Sequence, residues 1–226
     1  MLKNTKQNEI RSLVNRYQNT MLVTAGSPEY LGDKVDAIAI TNAFEAEGYS
    51  IVEIENIPSA IYKAEAIGYL DRITKTVYVK ANISQERKNF TLAHELGHIL
   101  MHKTMDVMHR QVARKKGYPR DQLEQEADYF ASCWLMPKLL VIKQFEMRFI
   151  SSPLVFTDHI ALLLSKTPEE KQELLEASQK SGLRELTTSK ATTFNFKQFV
   201  SLAQYFKVSP EAMAIRLQEL GLITYP

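Results

Sequence analysis

Apolar residues recur at helical spacing early in the chain and alternate with polar residues just after it. Residues 33–47 place apolar side chains three and four positions apart, and Gly48 follows as a natural helix end. Residues 49–55 alternate as a half-buried strand does, and residues 66–70 and 76–80 are two further β-prone runs. The polar N-terminal stretch is also typical of a helix. The pattern therefore predicts helices followed by a small sheet that contains a hairpin.

Two helices predicted after this sheet contain the residues of chemical interest. Ser84 can cap a helix that runs to about His102, because its hydroxyl can accept a hydrogen bond from the first turn. Asp121 precedes a second helix over residues 122–136, which ends before Pro137. Residues 103–120, between the helices, contain six basic residues and one aspartate, which predicts an exposed basic loop.

The pattern of residues 151–226 is helical throughout. Ser209 followed by Pro210 is a typical helix start, and residues 195–206 precede it as the first helix of a segment that resembles a helix-turn-helix. These elements predict an α+β fold. A first domain, residues 1–150, has an N-terminal helix and a small mixed sheet, and the C-terminal domain is all-helical.

Composition narrows the class of protein without identifying it. Of the 226 residues, 45% are apolar and 24% are charged, close to the averages of soluble globular proteins, and no apolar run suits a membrane helix. The N-terminus has no signal-peptide pattern, and a single cysteine, Cys133, excludes an internal disulfide. We therefore expect a cytoplasmic protein, in which the ligands of any metal site would be histidines and carboxylates. The net charge of +2 does not indicate nucleic-acid binding.

The helix that Ser84 begins contains His94, Glu95 and His98 in the arrangement H-E-x-x-H. Residues four apart on a helix lie on the same face, so both imidazoles can reach one metal ion. A catalytic zinc ion has three protein ligands and keeps one position for water. The motif therefore predicts a metal site that needs a third ligand, with Glu95 placed to act as general base.

The third ligand is expected on the helix over residues 122–136. Glu126 shares a stripe with large apolar side chains, so its carboxylate faces inward, where burial without a compensating partner is costly. Glu124 lies about 200° around the helix from Glu126, so the two cannot face the same ion. We favour Glu126 as the ligand and keep Glu124 as the alternative. Zinc is the expected ion, one per chain, although such donors also accept manganese or another divalent ion.

Gly97 lies between the two histidines, inside the predicted helix. Glycine costs up to about 1 kcal/mol relative to alanine in a helix interior, so a packing reason is expected. We expect the second helix, over residues 122–136, to approach closely at this point.

Several segments of the chain resemble the ImmA/IrrE family of zinc-dependent metallopeptidases. They are FTLAHELGHILMH, EQEADYFASCWLMP and LAQYFKVSPEAMAIRLQELGLI, together with the preceding GYLDRITKTVYVK. The resemblance implies a zincin-like fold, a zinc ion held by His94, His98 and Glu126, and Glu95 as the catalytic residue. It also implies that a substrate strand adds to the hairpin edge beside the cleft.

The resemblance also suggests a biological role. Members of the family are associated with cleaving or inactivating helix-turn-helix repressors, which switches on stress-response or mobile-element genes. It implies a zinc endopeptidase with such a repressor as substrate. The alternative is a non-catalytic antirepressor that sequesters its partner through the C-terminal helices. We favour direct DNA binding less, because residues 195–226 have a net charge of only +1.

Overall fold

The computed structural model describes residues 2–24, 38–55, 66–103, 108–112 and 121–225. The chain divides into two compact units, residues 1–135 and residues 136–226. The fold is α+β, as predicted.

The first unit, within its described residues, contains four helices and four strands. They are α1 (Asn4–Thr24), α2 (Ile38–Ala46), β1 (Ser50–Ile54), β2 (Ala66–Asp71), β3 (Thr76–Lys80), α3 (Gln85–Met101), β4 (Met108–Val112) and α4 (Gln122–Leu135). The predicted strands and helices are present, although the start of the predicted 33–47 helix lies outside the described residues. β4 was not predicted, and it lies in the segment expected to be a basic loop. No helix in the described parts of the chain has the length and apolar character to cross a membrane.

The four strands form one mixed sheet in the order β1-β3-β2-β4. β2 and β3 pair antiparallel as the predicted hairpin, β1 runs parallel to β3, and β4 pairs antiparallel with β2. The hairpin therefore lies in the middle of the sheet, and among the described strands β1 and β4 form its edges. This corrects the expectation of a hairpin edge, because β4 covers the outer side of β2.

Both ends of α3 are fixed. Ser84 is its N-cap, and the Ser84 hydroxyl accepts a hydrogen bond from the backbone N–H of Arg87. At the other end, Arg72 in the β2–β3 turn donates to the backbone oxygens of His98 at 2.8 Å and His102 at 3.0 Å. A positive charge at the carbonyl end of a helix is favourable. The hairpin turn thereby holds the end of α3 that carries these two histidines.

α4 packs against α3 at Gly97. A Cβ atom built at residue 97 would lie 3.1–3.2 Å from atoms of Phe130, closer than normal contacts between carbon atoms. Phe130 is fully buried and stacks on Trp134 with ring centroids 5.7 Å apart, so its ring has little room to move. The predicted reason for the glycine, a close approach of the second helix, is confirmed.

The second unit is mainly helical, as predicted, with two short two-stranded sheets in addition. Its described elements are α5 (Lys138–Phe149), β5 (Leu154–Val155), α6 (Asp158–Leu164), α7 (Pro168–Glu176), α8 (Leu183–Lys190), β6 (Thr193–Phe194), β7 (Lys197–Gln198), α9 (Leu202–Tyr205), α10 (Pro210–Glu219) and β8 (Ile223–Thr224). β5 pairs parallel with β8, and β6 pairs antiparallel with β7.

The division between the units lies before α5, whereas the predicted boundary lay after residue 150. The C-terminal end of α5 packs on later parts of the second unit. Arg148 donates from Nε to the backbone oxygen of Val200 at 2.9 Å, and the ring of Phe149 lies 5.2 Å from that of Phe194. These contacts join distant parts of the chain, and so the helical pattern alone did not reveal them.

The helix-turn-helix-like segment has a shorter first helix than predicted. Asn195 and Phe196 have positive φ angles of 47° and 64° and form the turn between β6 and β7. The helix begins only after Ser201, whose side chain forms a capping box with that of Gln204. A β-hairpin therefore replaces the first half of the predicted 195–206 helix, because the turn and the cap override its apolar pattern.

Gly97→Ala should destabilise the first unit. The added methyl group improves helix propensity by up to about 1 kcal/mol, but it overpacks against the buried Phe130 at a cost of ~1–3 kcal/mol. We expect a net loss of about 1 kcal/mol, measured as a lower urea midpoint of unfolding. Gly97→Val should lose more. An unchanged or higher midpoint in Gly97→Ala would contradict the close approach.

Candidate metal centre

His94 and His98 project from the same face of α3, as their spacing predicts. Their Nε2 atoms lie 3.0 Å apart, and both side chains are fully buried. Each neutral imidazole has one ring nitrogen with a lone pair. The two rings are therefore placed to offer both lone pairs to one common partner.

Glu124 of α4 completes a cluster with these histidines. Its Oε2 atom lies 3.5 Å from His94 Nε2, and its Oε1 atom lies 3.3 Å from His98 Nε2. One ligand atom from each of the three residues lies within 4.8 Å of the others, and within the described residues no other such group is found. Two imidazoles and one carboxylate are a donor set of catalytic zinc sites, which leave a fourth position for water. The residues present therefore fit a zinc ion.

Glu126, the expected third ligand, is not in this cluster. It is buried, as predicted, but its carboxylate has other neighbours. His102 Nε2 lies 3.2 Å from Oε2, Gln122 Nε2 donates to Oε1 at 3.0 Å, and Lys6 Nζ lies 3.4 Å from Oε2. These partners compensate the buried charge in place of a metal. Since α4 packs against both α1 and α3, an inward-facing carboxylate on α4 does not have to face the histidines of α3.

The surroundings of Glu126 keep its carboxyl group ionised. Burial raises the pKa of Glu126, but hydrogen bonds from Gln122 and His102 and the positive charge of Lys6 outweigh this effect. The pKa of Glu126 therefore lies below its usual range. The carboxylate acts as a hydrogen-bond acceptor behind the cluster of His94, His98 and Glu124.

The second ring nitrogen of each histidine in the cluster also has a partner. His94 Nδ1 lies 3.0 Å from Asp128 Oδ1, and His98 Nδ1 lies 2.8 Å from His102 Nδ1. Because an ionised carboxylate can only accept, His94 donates from Nδ1 and keeps its lone pair on Nε2. Asp128 was missed in the sequence. It lies four residues after Glu124, on the same face of α4, and that spacing could have indicated it.

Glu95, the predicted general base, follows His94 directly on α3 and is fully buried. His102, which ends the same helix, is buried and contacts His98. The structure thus brings the H-E-x-x-H helix and Glu124 together around one point. The catalytic role of Glu95 stays a prediction.

Comparisons with known proteins match this part of the chain. The Peptidase_M78 family model, described as the IrrE N-terminal-like domain, matches residues 49–150, which include α3 and α4. A solved structure of a Mycobacterium tuberculosis transcriptional regulator is similar over 82% of this chain, with 13% sequence identity and a TM-score of 0.38. The similarity covers 48% of that regulator, so the chain spans about half of its length. No curated protein matches the chain significantly.

Glu124→Gln should weaken zinc binding more than Glu126→Gln does. Glu124→Gln removes the negative charge of the carboxylate that lies beside both imidazoles. Glu126→Gln keeps an oxygen that can accept a hydrogen bond from His102. We expect Glu124→Gln to lose more than the ~10–100-fold typical of residues behind a ligand. Competition with a chromophoric chelator measures this, with the exposed Glu173→Gln as control. A larger loss in Glu126→Gln would restore Glu126 as the ligand.

Proposed function

We propose that this chain, which belongs to the ImmA/IrrE family through its IrrE N-terminal-like domain, is a zinc-dependent endopeptidase that cleaves a helix-turn-helix repressor. The family match itself assigns an ImmA/IrrE-type regulator or metallopeptidase. One observation supports the finer proposal most strongly. Two buried imidazole Nε2 atoms lie 3.0 Å apart beside Glu124, on a helix that also carries a buried glutamate, Glu95.

The proposed mechanism assigns a role to each of these side chains. His94, His98 and Glu124 would hold the ion, and Asp128 orients His94. Bound zinc lowers the pKa of a water molecule toward about 7 and polarises a carbonyl oxygen. Glu95 accepts a proton from the attacking water and delivers it to the leaving amine nitrogen. Burial strengthens these interactions because water does not screen them.

β4 is the strand that we propose for binding the substrate backbone. It is an edge strand among the described strands, so its outer side can pair with an extended segment. β4 begins at Met108, which pairs with Asp71, and the neighbouring Arg72 donates to the backbone oxygens of His98 and His102. The edge of the sheet therefore begins close to the end of the helix that carries the metal ligands.

The second unit suits binding of a protein better than binding of DNA. Phe196 is wholly exposed at the tip of the β6–β7 hairpin, and its φ of 64° is rare for a bulky residue. Strained backbone of this kind clusters at functional sites. α9 has only four residues, which is short for the first helix of a DNA-binding motif. We therefore propose that this unit recognises the repressor as a protein.

Glu95→Gln should abolish cleavage while keeping the fold and the zinc. The amide is nearly the same size as the carboxylate but cannot take a proton, so the rate should fall by ~10²–10⁴. The measurement is cleavage of repressors encoded beside the gene for this chain, followed by electrophoresis and mass spectrometry. Zinc content and the thermal midpoint should match the wild type.

Two results would contradict the endopeptidase. The first is undiminished cleavage by Glu95→Gln, because the proton would then have another acceptor. The second is unchanged derepression in cells that carry Glu95→Gln. That result would favour the antirepressor, which sequesters its partner without cutting it.

Phe196→Gly should stabilise the protein and weaken repressor binding. Asn-Gly is the preferred pair for a two-residue hairpin turn, and glycine relieves strain of about 1 kcal/mol at positive φ. The exposed ring is lost at the same time. Urea unfolding measures stability, and calorimetric titration with the repressor measures affinity. Phe196→Leu is the control, since it keeps both the strain and an apolar tip. Equal affinities in Phe196→Gly and wild type would exclude this residue from the interface.

A further inference from the structure

Two buried residues that the proposed mechanism does not use lie behind His98. His102 is 6% exposed and Glu126 is 3% exposed. They form a line of contacts that leads away from the metal-binding cluster. His98 Nδ1 lies 2.8 Å from His102 Nδ1, and His102 Nε2 lies 3.2 Å from Glu126 Oε2.

The donor and acceptor roles along this line follow from its last member. The Glu126 carboxylate can only accept, so His102 donates to it from Nε2. A neutral His102 then has a lone pair on Nδ1. The contact of 2.8 Å to His98 therefore requires His98 to donate from its own Nδ1. His98 is left with its lone pair on Nε2, the atom that faces His94 and Glu124.

We propose that His102 and Glu126 are positioning residues that hold His98 in the tautomer that binds the metal. This inference rests on the proposed metal site. Under this proposal, each of the two ligand histidines donates a hydrogen bond from Nδ1 to a side-chain acceptor. Asp128 accepts from Nδ1 of His94, and the His102–Glu126 pair accepts from Nδ1 of His98. Partners of this kind orient the ring and strengthen its lone pair.

The positioning pair is itself held from two sides. Gln122 donates to Glu126 Oε1 at 3.0 Å from the same helix, and Lys6 Nζ lies 3.4 Å from Oε2. Lys6 belongs to α1, which lies outside the residues 49–150 matched by the family model. A helix outside the matched domain therefore supports a metal ligand through two intermediate side chains.

The decisive experiment compares two variants of the same shape at residue 102. Leucine and asparagine branch alike, but only asparagine keeps an oxygen where Nδ1 of His102 accepts. Zinc affinity is measured on the full chain by competition with a chelator, and the cobalt-substituted absorption spectrum reports ligand geometry. We expect His102→Leu to lower zinc affinity roughly 10–100-fold and His102→Asn to recover most of the loss. His159→Leu, at an exposed histidine, is the control.

A second comparison tests whether Glu126 acts on His98 through His102. Glu126→Met removes the acceptor at similar length, whereas Glu126→Gln retains one. We expect Glu126→Met to bind zinc more weakly than Glu126→Gln. The double variant His102→Leu/Glu126→Met should bind no more weakly than His102→Leu alone, because the second change has nothing left to act through. If His102→Leu does not fold, the comparison of zinc affinity between Glu126→Met and Glu126→Gln still tests the positioning role.

Three outcomes overturn the inference. Zinc affinity equal to the wild type in His102→Leu would remove His102 from the site. Equal losses in His102→Leu and His102→Asn would show that only packing matters. Additive losses in the double variant would show that Glu126 acts independently. A wild-type chain that binds no zinc would instead refute the proposed function itself, and circular dichroism of each variant separates loss of metal from loss of fold.

Discussion

The contact between α3 and α4 at Gly97 is the constraint on which the site depends. Neither helix carries a complete donor set, because α3 supplies two imidazoles and α4 supplies the carboxylate. Glu124 lies 3.3–3.5 Å from both Nε2 atoms, and Phe130 on the same helix lies directly against a residue without a side chain. The packing of an apolar ring thus sets the position of a polar group on the same helix.

α4 contributes more to the histidines of α3 than a single ligand. Asp128 accepts from His94, and Glu126 is joined to His98 through His102. The acidic residues of α4 therefore have different tasks according to the direction in which each points. One faces the two Nε2 atoms and the others lie behind the rings, where their negative charges need partners of their own. Hydrogen bonds supply those partners at Asp128 and Glu126, and an ion pair with Lys6 adds to them at Glu126.

Much of the fold was predictable because its signals are local. The hairpin, the Ser84 cap and the H-E-x-x-H spacing each depend on neighbouring residues, and the structure has all three. The third ligand depends on which neighbouring helix a face of α4 meets, and the apolar stripe could not distinguish α1 from α3. β4 is defined by its pairing with β2, which the intervening sequence does not encode locally. Contacts between distant segments therefore account for β4 and for the position of Glu124. The shortened 195–206 helix has a local cause, a turn and a cap that its apolar pattern did not reveal.

The position of α1 has a consequence for how the protein is made. Gln18 on α1 donates to the backbone oxygen of Trp134 on α4, across 116 residues of chain. α1 leaves the ribosome long before α4, the helix against which it packs most extensively, exists. Long-range contacts also form late in folding because loop closure is costly. The pairing of α3 with α4, which are close in sequence, can therefore precede the docking of α1. Assembly of the cluster of His94, His98 and Glu124 and closure of the core behind it are thus separable events during synthesis.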